Sequence, residues 1–494
     1  MLKEKTINNS KTYISKDLKE LFSPKPNLLT PELKELIDDL YARIQRGYLA
    51  DGRPWVIGYS GGKDSTVTLQ SVWYALKKLP KEKLTKPIYV ISSDTFVESP
   101  PIVNHIKKSI DDVNRKASVD NLPFQAHIVQ PLIKETFWAN MIGKGYPAPY
   151  SRFRWCTDRL KIEPANKFIT DTVAKYGEVI VVLGVRKDES SNRAGHMNKR
   201  NMVGEQLARH KELPNAFVFS PIEDWYTDEV WRYLLSTPSP WGGNNHELAA
   251  LYKNGQDGEC PLVIDKDQPS CGNSRFGCWV CTVVQRDKSM EAMITNGEEW
   301  MRPLLEFRNW LVETQDPKQK YKIRDWRRRT GKVQYREVNG EKKIIWGPFK
   351  LEVRKQILQK LLKAEKSIQE NGPNKAERLI TDEELLHIRH MWRFEEGDWL
   401  DSLPNIYNKS TGKTLEIKED DWSGMGDFEF QTLVSVVEEY NLPINLFTEL
   451  FDAEKRQYGM SRRSKIYNNI DSILKKDWRP KEEIFTEFGI NETF

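Results

Sequence analysis

Trp55-Val56-Ile57-Gly58-Tyr59-Ser60-Gly61-Gly62-Lys63-Asp64-Ser65 reads as an apolar strand running into a glycine turn, and Val67, Leu69, Val72, Trp73 and Leu76 then recur at helical spacing. A strand, a glycine turn and a helix start in that order aim free backbone N–H groups and the positive end of the helix dipole at an anion. Gly61 and Gly62 let the backbone approach phosphate oxygens, Lys63 adds a cation, and Ser60 and Ser65 add hydroxyl donors. A Walker A loop would need Gly at 57 and Ser or Thr at 64, where this chain has Ile57 and Asp64. The loop is a nucleotide site of another pattern.

Around it, apolar runs at Trp55 to Tyr59, Ile88 to Ser92, Phe124 to Val129, Val179 to Leu183 and Phe217 to Phe219 alternate with helical patterns. Such alternation argues βαβ units, hence an α/β fold with a doubly wound parallel sheet covered on both faces. Upstream, Thr30-Pro31 is an N-cap and N1 pair, and Leu33, Leu36, Ile37, Leu40, Tyr41 and Ile44 follow at helical spacing. This gives a helical segment over 1–49 and an α/β domain over 50–240. Residues 241–310 read as a cysteine-rich iron–sulfur module, in which periodicity dissolves from Trp241 to Gln285 into Gly, Pro, Asn and Cys, as expected where a metal organises the backbone. Residues 311–494 read as mainly helical, basic and then acidic: residues 321–363 hold 14 Lys/Arg against 4 Asp/Glu.

The 494 residues include 76 Lys+Arg and 71 Asp+Glu, and no apolar run approaches the roughly 20 residues needed to span a bilayer. With a polar N-terminus, the expectation is a cytoplasmic protein without membrane partners. Four of the five cysteines, Cys260, Cys271, Cys278 and Cys281, follow the spacing C-x10-C-x6-C-x2-C. Four thiolates suit an iron–sulfur cluster or tetrahedral Zn²⁺, and neither softness nor spacing decides between them. Asp94, after the second predicted strand, is placed to orient a hydroxyl or hold Mg²⁺ with phosphates; Arg186 and Arg193 are suited to bidentate phosphate contacts, or else to surface ion pairs. Trp225 and Trp231 read as core.

Ser60 to Ser65 resembles the PP-loop of the ATP pyrophosphatase superfamily, whose members cleave ATP between the α and β phosphates and adenylylate a substrate oxygen. Ser93-Asp94-Thr95, Arg154 to Thr157, Gly184-Val185-Arg186-Lys187-Asp188-Glu189-Ser190 with Arg193, and Pro221 to Trp225 are similar to the phosphoadenylyl-sulfate reductase branch. Gly143 to Pro149, Phe153 to Thr157, Gly258 to Val263 and Ser270 to Cys281 resemble the DndC family, the sulfurtransferase-like component of bacterial DNA phosphorothioation. That resemblance implies ATP, Mg²⁺ and a [4Fe-4S] cluster as cofactors. It implies DNA, a cysteine desulfurase as sulfur donor, and the other Dnd proteins as partners. Lys63, Asp64, Cys156 and Arg186 are then the candidate catalytic residues, with Ser60 to Ser65, Asp94, Gly184, Arg186 and Arg193 on the nucleotide.

Cys156 stands outside the cluster spacing, between Arg152, Arg154 and Arg159, which favour a thiolate. It reads as a persulfide carrier or nucleophile, a cluster ligand, or an ordinary buried cysteine. The basic stretch with Arg327-Arg328-Arg329, Lys342-Lys343, Trp326 and Trp346 fits a DNA backbone or a solvated face. The expected function is ATP-dependent activation of a DNA phosphate by adenylylation with PPi release, supporting sulfur insertion. The alternatives are another PP-loop sulfur enzyme, such as a sulfonucleotide reductase or tRNA thiolase, and a non-catalytic, zinc-stapled DNA-binding subunit.

Overall fold

The computed structural model describes residues 29–189, 191–199, 202–204, 206–255, 277–417, 426–458 and 463–490. The chain divides into two compact units, and their boundaries differ from the linear division read above. The first comprises residues 1–94, 99–130 and 161–277; the second comprises 95–98, 131–160 and 278–494.

In the first unit, helix α1 (Pro31–Leu49) starts where expected, with Thr30 accepting from the Leu33 N–H at 3.3 Å. Strand β1 (Trp55–Gly58), helix α2 (Lys63–Lys77), β2 (Ile88–Ser93), α3 (Pro100–Asp120), β3 (Phe124–Val129), α4 (Glu163–Tyr176) and β4 (Val179–Val182) follow. Next come α5 (Ser191–Asn198), β5 (Met202–Val203), β6 (Leu207–Arg209), β7 (Ala216–Phe219), α6 (Thr227–Ser236) and α7 (Asn245–Gly255). The sheet order is β3-β2-β1-β4-β7-β6-β5. The five strands read from sequence are parallel, and β6 and β5 add an antiparallel edge. Side-chain alternation explains the two covered faces. Trp55, Ile57, Ile180 and Val182 face one buried cluster with α1, α2 and α6; Val56, Val179 and Val181 face another with Ala165 and Ile169 of α4. Trp225 and Trp231 are buried in the first of these. Helix α7 corrects the expectation that periodicity ends at Trp241.

The second unit packs helices α8 (Lys288–Thr295), α9 (Arg302–Glu313), α10 (Leu351–Asn371), α11 (Asp382–Glu395) and α12 (Ser402–Thr411) around one apolar cluster. Residues 131–160 are built into it: Trp138 Nε1 donates to Leu379 O (2.7 Å), Arg354 Nη1 to Gly143 O (2.7 Å) and Trp392 Nε1 to Ile142 O (2.9 Å). A β-hairpin, β8 (Tyr335–Val338) and β9 (Glu341–Ile344), interrupts the expected helical run. Further along the unit come α13 (Asp427–Glu439), α14 (Ile444–Gln457), α15 (Ile466–Leu474) and α16 (Lys481–Glu487). No helix among the described residues is long and apolar enough to cross a membrane.

Candidate active site

The loop after β1 lies at the carboxyl end of the parallel strands, where an open α/β sheet presents its ligand site. Gly61 takes φ +71°, a conformation that favours glycine. Ser65 Oγ donates to Gly62 O (2.9 Å), shares a hydrogen bond with Ser60 Oγ (3.1 Å) and accepts from Ser60 N–H (3.2 Å). The two serines therefore brace the turn. Gly62 is the N-cap of α2 and supplies no side-chain cap.

Asp64 sits between two cations, Lys63 Nζ at 3.2 Å and Arg186 Nε at 2.5 Å. Arg186 is fully buried; its Nη1 also reaches Asp188 Oδ2 and Trp225 O, both at 3.2 Å. Those nitrogens face protein acceptors. Arg186 thereby positions Asp64, rather than presenting the open fork that the sequence reading gives it. Asp188 also accepts from Thr227 N–H and Oγ at 3.1 Å, so one carboxylate ties Arg186 to the start of α6. Gly184 is forced by close approach: a Cβ there would lie 2.5 Å from Asp64 O and 2.7 Å from its carbonyl carbon. Asp94 is half-buried at the end of β2, and Gln130 Nε2 donates to its Oδ2 at 3.2 Å. Arg193 falls on α5, and its side chain lies outside what is described. Asp224, within the Pro221 to Trp225 block, pairs with Lys187 at an exposed site (2.6 Å).

Tyr252 of α7 was not singled out by any motif. Its hydroxyl oxygen accepts the Lys63 N–H at 3.1 Å, Lys63 Nζ lies 5.5 Å from its ring centroid, and Trp231 packs edge-on against it at 5.1 Å. The hydroxyl thus holds a backbone donor that a phosphate oxygen would take.

Cys156, Cys278 and Cys281 fall in the second unit. Cys278 and Cys281 share one turn, with Cys281 N–H donating to Cys278 O at 3.1 Å. Cys278 Sγ lies 3.6 Å from Glu98 Oε1 and 3.7 Å from Thr95 Oγ1, and Glu98 and Cys278 form a β-bridge. Arg308 of α9 is fully buried and donates to the carbonyls of Cys281 (2.9 Å), Gln285 (2.7 Å) and Val284, stapling this turn. Burial pushes the Arg308 guanidinium below its ordinary value, against the pull of Asp287 and Cys281. Cys156 lies on the turn Trp155–Thr157 and, like Cys278, borders the unit's apolar cluster. Of its flanking arginines, Arg159 is paired with Glu135. Cys260 and Cys271 lie outside the described residues, and among the described residues no three His, Cys, Asp or Glu side chains converge as a metal site.

Residues 54–284 match the family model of the phosphoadenosine phosphosulfate reductase domain. With the loop and sheet above, the chain carries an ATP-utilising domain of the PP-loop superfamily. An uncharacterised protein of Methanocaldococcus jannaschii is 26% identical over 276 residues, 53% of this chain and 46% of that protein. The match thus spans under half the length of that relative. Among solved structures, the U34-tRNA thiolase NcsA from Methanococcus maripaludis with its [4Fe-4S] cluster aligns at 16% identity with a TM-score of 0.27, covering 57% of this chain and 81% of that one. The Candida glabrata FMN adenylyltransferase bound to FMN and an ATP analog aligns at 14% identity with a TM-score of 0.25, covering 44% and 63%. At such scores neither likeness bears on function.

Proposed function

We propose that this chain is the ATP-using enzyme of a DNA phosphorothioation system of the DndC type. The observation that carries the ATP half is the Ser60–Ser65 loop, a braced glycine turn that opens a helix at the carboxyl end of the sheet. ATP binds there, and Asp94 is the residue that would hold Mg²⁺ with the phosphates. A non-bridging oxygen of a DNA phosphodiester attacks the α-phosphorus and PPi leaves, its charge met by the loop N–H groups and Lys63. Arg186 acts through Asp64, fixing the first turn of α2 against Lys63.

Sulfur arrives as a persulfide on Cys156, loaded by a cysteine desulfurase partner. Its terminal sulfur attacks the activated DNA phosphorus, AMP leaves with the oxygen, and a thiol reductant cleaves the remaining S–S bond. Cys260, Cys271, Cys278 and Cys281 are the residues that would hold a [4Fe-4S] cluster or Zn²⁺. The described residues do not complete that donor set, and no step here passes through it. The test is mass spectrometry of DNA from cells making the chain with its partner proteins, digested to nucleosides. Phosphorothioate-linked dinucleotides are expected with wild type and lost with Lys63→Ala; full sulfur incorporation with Cys156→Ala would remove the carrier role.

A further inference from the structure

The second unit holds a row of five cations, four of which make no ion pair among the described residues. Arg324 donates from Nε to Gly347 O (2.5 Å) and from Nη2 to Trp346 O (3.2 Å), and Arg328 donates from Nη1 to the same Trp346 carbonyl (2.7 Å). Carbonyls satisfy N–H donors but carry no net charge. Arg327, Arg329 and Lys343, by contrast, each have a carboxylate within 3.7 Å: Asp325, Glu395 and Glu341 respectively. Among the described residues, Lys320, Arg324, Arg328 and Arg336 make no ion pair. They press on one another. Burial and the adjoining Arg328 push Arg324 down to about 10, with Tyr150 opposing, while burial, Arg324 and Arg336 lower Lys320.

The row continues onto the hairpin. Arg336 stands directly opposite Lys343 in the β8–β9 ladder, a cross-strand pair that repels. Residues 335–337 and 341–343 are exposed, and the Lys343–Glu341 pair is an exposed one, which screens little. Tyr335 packs on Phe488 (5.8 Å) and under Lys342 (4.8 Å), which anchors the ribbon. A neighbouring basic recess of about 670 Å³ shows what a merely structural patch looks like: its Lys475, Lys476 and Arg479 each meet a carboxylate, on Asp471, Glu449 and Asp477, within 2.7 Å.

We propose that Lys320, Arg324, Arg328, Arg336 and Lys343 form a binding face for the phosphate backbone of duplex DNA, with the β8–β9 ribbon entering the major groove. A two-stranded ribbon is a shape that the major groove admits, and a row of cations matches a phosphate track. The choice of DNA over RNA rests on the function proposed above. The test uses the full chain without ATP and a fluorescent duplex of about two helical turns, followed by anisotropy over a salt series. Wild type binds, and Arg336→Ala/Lys343→Ala weakens binding about tenfold and lowers the log–log salt slope by about two, with ATP binding unchanged as the folding control. Unaltered affinity and slope in the double variant, no duplex binding by wild type at low salt, or a preference for RNA of the same sequence would each overturn the face. Duplex binding without PPi release from ATP supports the face and sinks the activation reading instead.

Discussion

Asp64 is gripped from both sides, by Lys63 and by an arginine with no solvent exposure, so the first turn of α2 is set by charge as well as by the serine braces. Removing one partner of a buried pair strands the other. Arg186→Gln should cost about 3 kcal/mol in urea denaturation and weaken ATP binding through a displaced Asp64. Gly184→Ala drives a methyl into the Asp64 carbonyl, and a loss of about 1–3 kcal/mol is expected with a parallel loss of nucleotide affinity. A neutral outcome would mean that β4 and α2 separate easily. Tyr252→Phe removes the hydroxyl that occupies the Lys63 N–H, so calorimetry should show ATP binding severalfold tighter. Weaker binding would show instead that the hydroxyl serves the nucleotide. The loop's own residues were legible because a glycine turn between a strand and a helix has a local signature. Arg186 was legible only as a cation, because its partners Asp64 and Trp225 are remote in sequence. Tyr252 left no mark at all.

At the scale of elements, the five parallel strands and α1 could be read directly, since buried parallel strands are continuous apolar runs and Thr30-Pro31 is a strong helix start. The antiparallel strands β5 and β6 span two and three residues, too few for a period to appear. The β8–β9 hairpin was hidden for another reason: its exposed strands are charged rather than alternating. Nor does sequence order show that residues 131–160 belong with α10 and α11, since that depends on hydrogen bonds such as Trp392 to Ile142 O. The same long-range logic governs the cysteine turn. Arg308 donates to three carbonyls there, so Arg308→Gln should lower iron or zinc content per chain while ATP binding by the α/β unit persists. Unchanged metal content would show that the turn holds without its staple.

For the molecule as a whole, burial sets the response to acid. His105, His127 and His387 are all held below the ordinary histidine range, chiefly by burial; Glu247 opposes it and Lys108 reinforces it at His105, while Lys144, His390 and Lys134 reinforce and Glu395 opposes it at His387. The unfolded chain therefore binds more protons than the folded one once pH falls below about 6.5, and stability declines from there through the folded values. The urea midpoint should be lower at about pH 5.5 than at about pH 7.5, and replacing the three histidines with Gln should flatten that difference. The proposed adenylylation of DNA is tested on the full chain. The most direct measurement is analysis of the products of ATP turnover by the full chain with duplex DNA, for wild type and Lys63→Ala. AMP and PPi, with the rate falling about a hundredfold in the variant, are the predicted result. ADP and inorganic phosphate, or turnover indifferent to Lys63, would contradict the account.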